Sequence, residues 1–305
     1  MLEFPKVITS SVVRGAQKGE SHGGLYIVDL ANDAFEQVLN WADLDIQWED
    51  SGRDRGLRGI AFYNDNIYIA SSNEILVLNK QFEIVKRIEN RYLGMCHEID
   101  VYNGKLYISS TRHDAILVYD LKKEDFIKGY HIKFIDKFPG IRVFNPHNET
   151  SPDICNNFHI NNVFVAKQEI YFSGLKTNVL FKISRMEKLG INSIIPCGTH
   201  NVQLYKGGLL MNDTAHDHVL YKVENDEFRY RIKKYKDSEL VVPEGDYFAR
   251  QSFGRGLTTW GNYIVGGSLP GTISLYHFNK TEPVKTINIT MDIRNSIHGL
   301  EVWPF

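Results

Sequence analysis

Long apolar runs are missing from this chain of 305 residues. None approaches the roughly 18–20 residues that a membrane-spanning helix needs, so no membrane partner is expected. The opening MLEFPKVITSS lacks the basic and hydrophobic regions of a secretory signal, which makes the expected location cytoplasmic. Cysteine is scarce: Cys96, Cys155 and Cys197 are odd in number and too few for a disulfide framework. They are expected as small buried thiols. Charge of one sign is also absent, with 35 Lys and Arg against 37 Asp and Glu and a net charge of −2. That balance removes the basic footprint that nucleic acid or anionic lipid requires. The chain carries no G-x-S-x-G, no Walker loop, no dinucleotide fingerprint and no H-E-x-x-H. Any chemistry must therefore be assembled from residues far apart in sequence.

What the chain has is aromatics, 16 Tyr and 17 Phe, within 43% hydrophobic residues, and one recurring pattern. The pattern reads RGIAFYNDNIYIAS from Arg58, HEIDVYNGKLYISS from His97, NNVFVAKQEIYFSG from Asn161, HNVQLYKGGLLMN from His200, RGLTTWGNYIVGGS from Arg255 and HGLEVW from His298. Each copy starts with alternating apolar residues, turns at a tip such as Asn-Gly-Lys or Trp-Gly-Asn, and resumes as a second apolar strand. Third and fourth strands follow after a polar loop. Four antiparallel strands in about 40–50 residues is the sequence form of a β-propeller blade. The sixth copy stops after one strand, and Lys6 to Val13, Leu25 to Leu30 and Phe35 to Leu39 supply its other three. The fold expected is all-β: a single six-bladed propeller domain over residues 1–305, its last blade closed by strands from both termini.

Two long connectors interrupt the repeat. Asp136 to Phe158, with three prolines, is expected to be an irregular loop, Asp237 to Gly254 is the second long connector, and both are expected as ordered lids. A charged connector, Trp41 to Leu57, joins the split blade to the first complete one. Up-and-down topology puts these connectors, the six starting residues and the loops around His22, His113, Asp213 and His216 on one face.

The innermost strand of each blade begins at the central channel, so Arg58, His97, Asn161, His200, Arg255 and His298 are expected to point into it. The histidines occupy alternate blades. Three imidazoles converging from three directions form a tripod for a divalent ion, with a fourth position open for catalysis. Zinc is the first expectation, with iron, manganese or copper also compatible. His159, two residues before Asn161, is a candidate to join or replace a member of the tripod, and both residues are substrate-binding candidates. Arg58 and Arg255 offer planar forks for a carboxylate or phosphate. For acid–base work the candidates are His113 and His216 on the rim, with Tyr92 and Tyr247 behind them.

These starts and the closure through both termini resemble six-bladed propellers of the NHL and gluconolactonase-like groups. Within that fold the peptidyl-hydroxyglycine amidating lyases are similar in one respect, three axial histidines on zinc with arginines nearby. That resemblance implies His97, His200 and His298 as zinc ligands and Arg58 and Arg255 as contacts to a substrate carboxylate. The chain departs from the family in lacking a signal peptide and paired cysteines. Gluconolactonase-type calcium sites use carboxylate and Asn ligands, which only Asn161 and Glu98 match. The expectation is a metal-dependent lyase or hydrolase acting on a small anionic molecule. The alternative is a non-catalytic propeller that binds a protein or glycan through its rim loops.

Overall fold

The computed structural model describes residues 4–42, 55–148, 152–245, 247 and 249–305. Its strands form six antiparallel sheets, and the fold is the six-bladed β-propeller that the repeat predicts. The chain divides into two compact units, Met1–Gly59 with His200–Phe305 and, separately, Ile60–Thr199. Each contains three sheets. Most of the connector at Trp41 to Leu57 lies outside the described residues. No helix among the described residues is long and apolar enough to cross a membrane.

In the unit that carries both termini, β1 (Lys6–Val13) lies between β2 (Gly24–Asp29) and the last strand of the chain, β25 (Asn295–Val302), with β3 (Ala34–Asn40) outside β2. The pairing of Val7 with Val302 and of Val13 with Asn295 closes this sheet from both ends of the chain, as expected. The other two sheets of the unit run from β17 (Thr199–Tyr205) to β20 (Asp226–Arg231) and from β21 (Leu257–Trp260) to β24 (Lys285–Asn288). Neighbouring sheets pack face to face through apolar residues, for example Val7, Val28 and Leu300 against Val265, Ile273 and Leu275. Each fully buried Val, Leu or Ile contributes about 1.5–3 kcal/mol.

The Ile60–Thr199 unit holds a sheet from β4 (Ile60–Tyr63) to β7 (Ile84–Glu89) and another from β13 (Ile160–Ala166) to β16 (Leu189–Ile194). Between them in sequence lies a sheet of five strands: β8 (Cys96–Tyr102), β9 (Lys105–Ser110), β10 (Ala115–Asp120), β11 (Asp125–Ile135) and β12 (Phe138–Phe144). The tip between β8 and β9 is Asn103-Gly104 with both φ angles positive, 49° and 70°, the geometry that matches strand twist in a two-residue hairpin. The fifth strand corrects the expectation of an irregular loop from Asp136. The chain reverses at Asp136 and Lys137 (φ 48° and 72°), and Phe138–Phe144 pairs with Gly129–Ile135. Pro139 is compatible with this because β12 is an edge strand, where a missing N–H costs little.

The cysteines differ from expectation too: Cys96 is buried, Cys155 is half-buried and Cys197 is exposed. Cys197 lies in the tight loop before β17, where its thiol donates to the Leu175 carbonyl, and no sheet covers it.

Glycine is required where two sheets approach in the unit with both termini. At Gly267 in β22 (Tyr263–Ser268) an added Cβ would run into the Arg255 carbonyl oxygen and the Ile297 side chain. Gly267→Ala is expected to cost about 1–3 kcal/mol through overpacking. Urea unfolding should show a lower midpoint with an unchanged slope; an unchanged midpoint would mean that the contact is not tight.

Candidate functional site

Three of the recurring first residues, His97, Asn161 and His298, sit where strand pairing is irregular. In β8, His97 and Glu98 together oppose Ser109, because the register shifts between Cys96 and Ile99. In β25, His298 and Gly299 oppose Ser10 in the same manner. In β13, Asn161 is the extra residue between Ile160 and Asn162. A bulge of this kind re-aims a side chain at the start of a strand. Second-strand polar residues support it. Ser109 donates to the Glu98 carbonyl (2.8 Å), while Ser10 accepts the Gly299 N–H (2.7 Å) and donates to the Arg58 carbonyl (2.5 Å). Beside His200, Asn201 adopts φ 53° and its Oδ1 accepts from Asn212 (3.0 Å) and from the Gly256 N–H (3.0 Å). Gly256 itself has φ 74°, a conformation that favours glycine, so this amide pair fixes the backbone next to Arg255.

All six first residues are buried: Arg58 4%, His97 7%, Asn161 1%, His200 3%, Arg255 8% and His298 6% exposed. Charged and polar groups this far from water must be compensated by partners of their own.

In the Ile60–Thr199 unit, His97 Nδ1 lies 2.7 Å from the Met95 carbonyl and 2.9 Å from Thr111 Oγ1. Thr111 donates its own proton to the Ile160 carbonyl (2.5 Å). Both contacts of His97 Nδ1 are therefore acceptors, and Nδ1 carries the proton. The His159 ring meets His97 edge-on at 5.7 Å, so the structure brings together two of the candidates in this unit. His113 is apart from them. Its Nδ1 faces the Asp153 carbonyl at 3.4 Å, its ring packs edge-on to Tyr92 at 5.7 Å, and burial holds its pKa below the ordinary value. The neighbouring Asp114 carboxylate accepts from the backbone N–H groups of Asn157, Phe158 and Ile160, which pins the loop ahead of β13. Tyr92 donates to the Asn148 carbonyl and Tyr247, in the other unit, to the Pro243 carbonyl; both phenols are thus already engaged.

The unit with both termini gathers cations around one ring. The guanidinium carbons of Arg14, Arg250 and Arg255 lie 4.9, 5.2 and 4.9 Å from the centre of the Phe253 ring. The His200 ring meets the same phenyl edge-on at 6.1 Å. Arg14 is 8% exposed, as deeply placed as Arg255. Arg250 is tied down by the Asp217 carboxylate and the Thr214 carbonyl. Arg255 and His200 were expected at a site. Arg14, Arg250 and Phe253 were not, although the run Arg250-Gln-Ser-Phe-Gly-Arg255 compresses two arginines and an aromatic into six residues. In the same unit Asp213 ends β18 (Gly208–Asp213), and its carboxylate holds His216 Nδ1 at 2.9 Å and His218 Nε2 at 3.4 Å.

Among the described residues there is no group of three or more His, Cys, Asp or Glu side chains that could hold a metal ion. His97 Nδ1 is engaged by Met95 and Thr111, and the His200 ring packs on Phe253.

No family model matches the chain. No curated protein matches it either. Among solved structures it is similar over 97% of both chains to one from a nidogen/laminin complex, at 9% identity and a TM-score of 0.59. A protein of unknown function from Bacteroides caccae gives 12% identity and a TM-score of 0.58 over 97% of this chain and 98% of that one. The likeness is one of fold alone. A virginiamycin B lyase from Staphylococcus aureus with quinupristin matches at 13% identity over 77% of this chain and 73% of that one, and its TM-score of 0.44 is too low to bear on function.

One histidine outside these clusters, His131, contributes to the response to acid. His131 in β11 is 8% exposed with Nε2 3.4 Å from Cys155 Sγ; burial, followed by the nearby Lys133 charge, pushes its pKa down to about 4. Burial first, then the nearby Asp114, raises the Cys155 thiol to about 11, so the pair is neutral near pH 7 and is no thiolate nucleophile. A lowered histidine pKa gives stability that is complete above the unfolded value near 6.5 and lost as pH falls from there toward 4. Between pH 7 and pH 5 this group should account for about 2 kcal/mol of lost stability. Urea unfolding of His131→Gln should show a correspondingly smaller fall over that interval; an identical fall in both proteins would contradict the assignment.

Proposed function

We propose that the chain binds a small anionic molecule of the carboxylate or phosphate class at the arginine cluster around Phe253. The observation that carries this reading is the convergence of Arg14, Arg250 and Arg255 on one ring, with two of the three guanidinium groups buried. In a region of low dielectric the attraction between the gathered guanidinium groups and an anion is stronger than in water. Asp217 balances Arg250. The planar guanidinium fork suits two-point binding of a carboxylate or phosphate, and the phenyl ring holds the cations in place through its face.

His200, on the edge of the same ring, is the proton-transferring group nearest this cluster. With the anion's charge held by arginine, a proton passed to or from His200 would serve a hydrolase, in which water adds across a bond, or a lyase, in which a group is eliminated. Arg58 contributes through its backbone to the bulge at His298.

Calorimetric titration of the full chain with citrate and with inorganic phosphate tests this. A hydrogen bond to a charged group contributes about 1.5–3 kcal/mol. Arg255→Ala should therefore weaken binding by about ten- to a hundredfold, Arg14→Ala by a similar factor, and Arg255→Lys by less. Affinities equal to wild type in both alanine variants, with circular dichroism unchanged, would overturn the reading.

A further inference from the structure

A second cluster in the same unit opens onto a cleft that the arginine site does not use. Asp213 is 4% exposed at the side chain, and both its carboxylate oxygens lie 2.9 Å from His216 Nδ1. The turn is closed by the His216 N–H on the Asp213 carbonyl (3.2 Å). A carboxylate against Nδ1 fixes the proton there and leaves the acceptor lone pair on Nε2, the arrangement by which a buried acid orients a base. Unlike its partner, the His216 side chain is 65% exposed.

His216 lines a cavity of about 420 Å³, within the size range of small-molecule sites. Arg231, Lys233 and Lys234, at and just after the end of β20, line the same cavity, together with Asp217 and Glu282. Both carboxylates already have cationic partners: Glu282 lies 3.2 Å from Arg231, and Asp217 holds Lys234 at 3.1 Å as well as Arg250. Lys233 has its ammonium 5.8 Å from the Tyr235 ring centre. Three cations and two carboxylates therefore share one cleft with an oriented imidazole, and the cations are in excess. A phosphate monoester matches this set. Its oxygens accept from several ammonium and guanidinium donors at once, and its protonated form offers an O–H to a neutral imidazole nitrogen.

We propose that this cleft is a separate binding site for a small phosphomonoester, with Arg231, Lys233 and Lys234 meeting the phosphate and His216 Nε2 accepting a hydrogen bond from it. Asp213 acts as a positioning residue behind His216. The inference does not depend on the arginine cluster at Phe253.

Phenyl phosphate titrated into the full chain provides the test, read in two ways. By calorimetry, the double variant Lys233→Ala with Lys234→Ala should bind at least about tenfold more weakly, because two charge-assisted contacts are removed from an exposed strand end. Arg255→Ala should retain this binding, which separates its failure from failure of the arginine cluster. In long-range proton–nitrogen spectra of the imidazoles, the His216 Nε2 signal should move on addition of phenyl phosphate in wild type and move less at the same concentration in the double variant. Measured in the Arg255→Ala background, a phenyl phosphate affinity left unchanged by Lys233→Ala with Lys234→Ala, or a His216 signal that does not respond in wild type, would overturn the proposal; so would the absence of any binding at millimolar phenyl phosphate.

Discussion

One extra residue at the start of a first strand is the constraint that sets the backbone at three of the recurring positions, His97, Asn161 and His298. A regular antiparallel ladder would send alternate side chains to opposite faces, and the histidine or asparagine that opens the strand would then pack between sheets. Where two residues face one, as at His97-Glu98 opposite Ser109 and at His298-Gly299 opposite Ser10, the chain turns locally and the unpaired backbone must find other partners. The serines opposite supply them from the neighbouring strand. Around Arg255 the same task falls to the Asn201 and Asn212 amides, which hold Gly256 in a conformation that favours glycine. Irregularity at these points is thus supported from the second strand, and a buried polar residue gains a defined direction.

Burial then sets the chemistry. Arginines and histidines at the first positions lie within the fold, where leaving a charge uncompensated costs far more than at the surface. In the unit with both termini the solution is collective: three guanidinium groups and an imidazole share the Phe253 ring, and Asp217 compensates one of the cations. In the Ile60–Thr199 unit the solution is local, with His97 donating to a carbonyl and a threonine, and Asp114 spent on backbone amides. The first arrangement gathers cations around one ring, and the second uses its polar groups to fix a loop. This difference is why the functional reading rests on Phe253 and its arginines.

Much of the fold was legible because period-two alternation and Asn-Gly type tips carry the strand order directly; the pairing of Val7 with Val302 follows from a sixth repeat that ends after one strand. The strand at Phe138–Phe144 was hidden by Pro139, whose usual meaning inside a strand does not apply at a sheet edge. Positions of the six first residues were legible from the repeat, but the directions of their side chains were not, since a bulge leaves no mark in hydrophobic periodicity. Arg14, Arg250 and Phe253 belong to loops outside the period, and only tertiary structure places Arg14 beside a ring nearly 240 residues away.

Anomalous diffraction from crystals soaked in selenate tests the central claim most directly, because it locates an anion without assuming a reaction. The account predicts a selenium peak beside Phe253 within hydrogen-bonding reach of Arg14 and Arg255, in crystals where those residues touch no neighbouring molecule. Fully occupied selenate elsewhere on the protein, with none at this cluster, would contradict it.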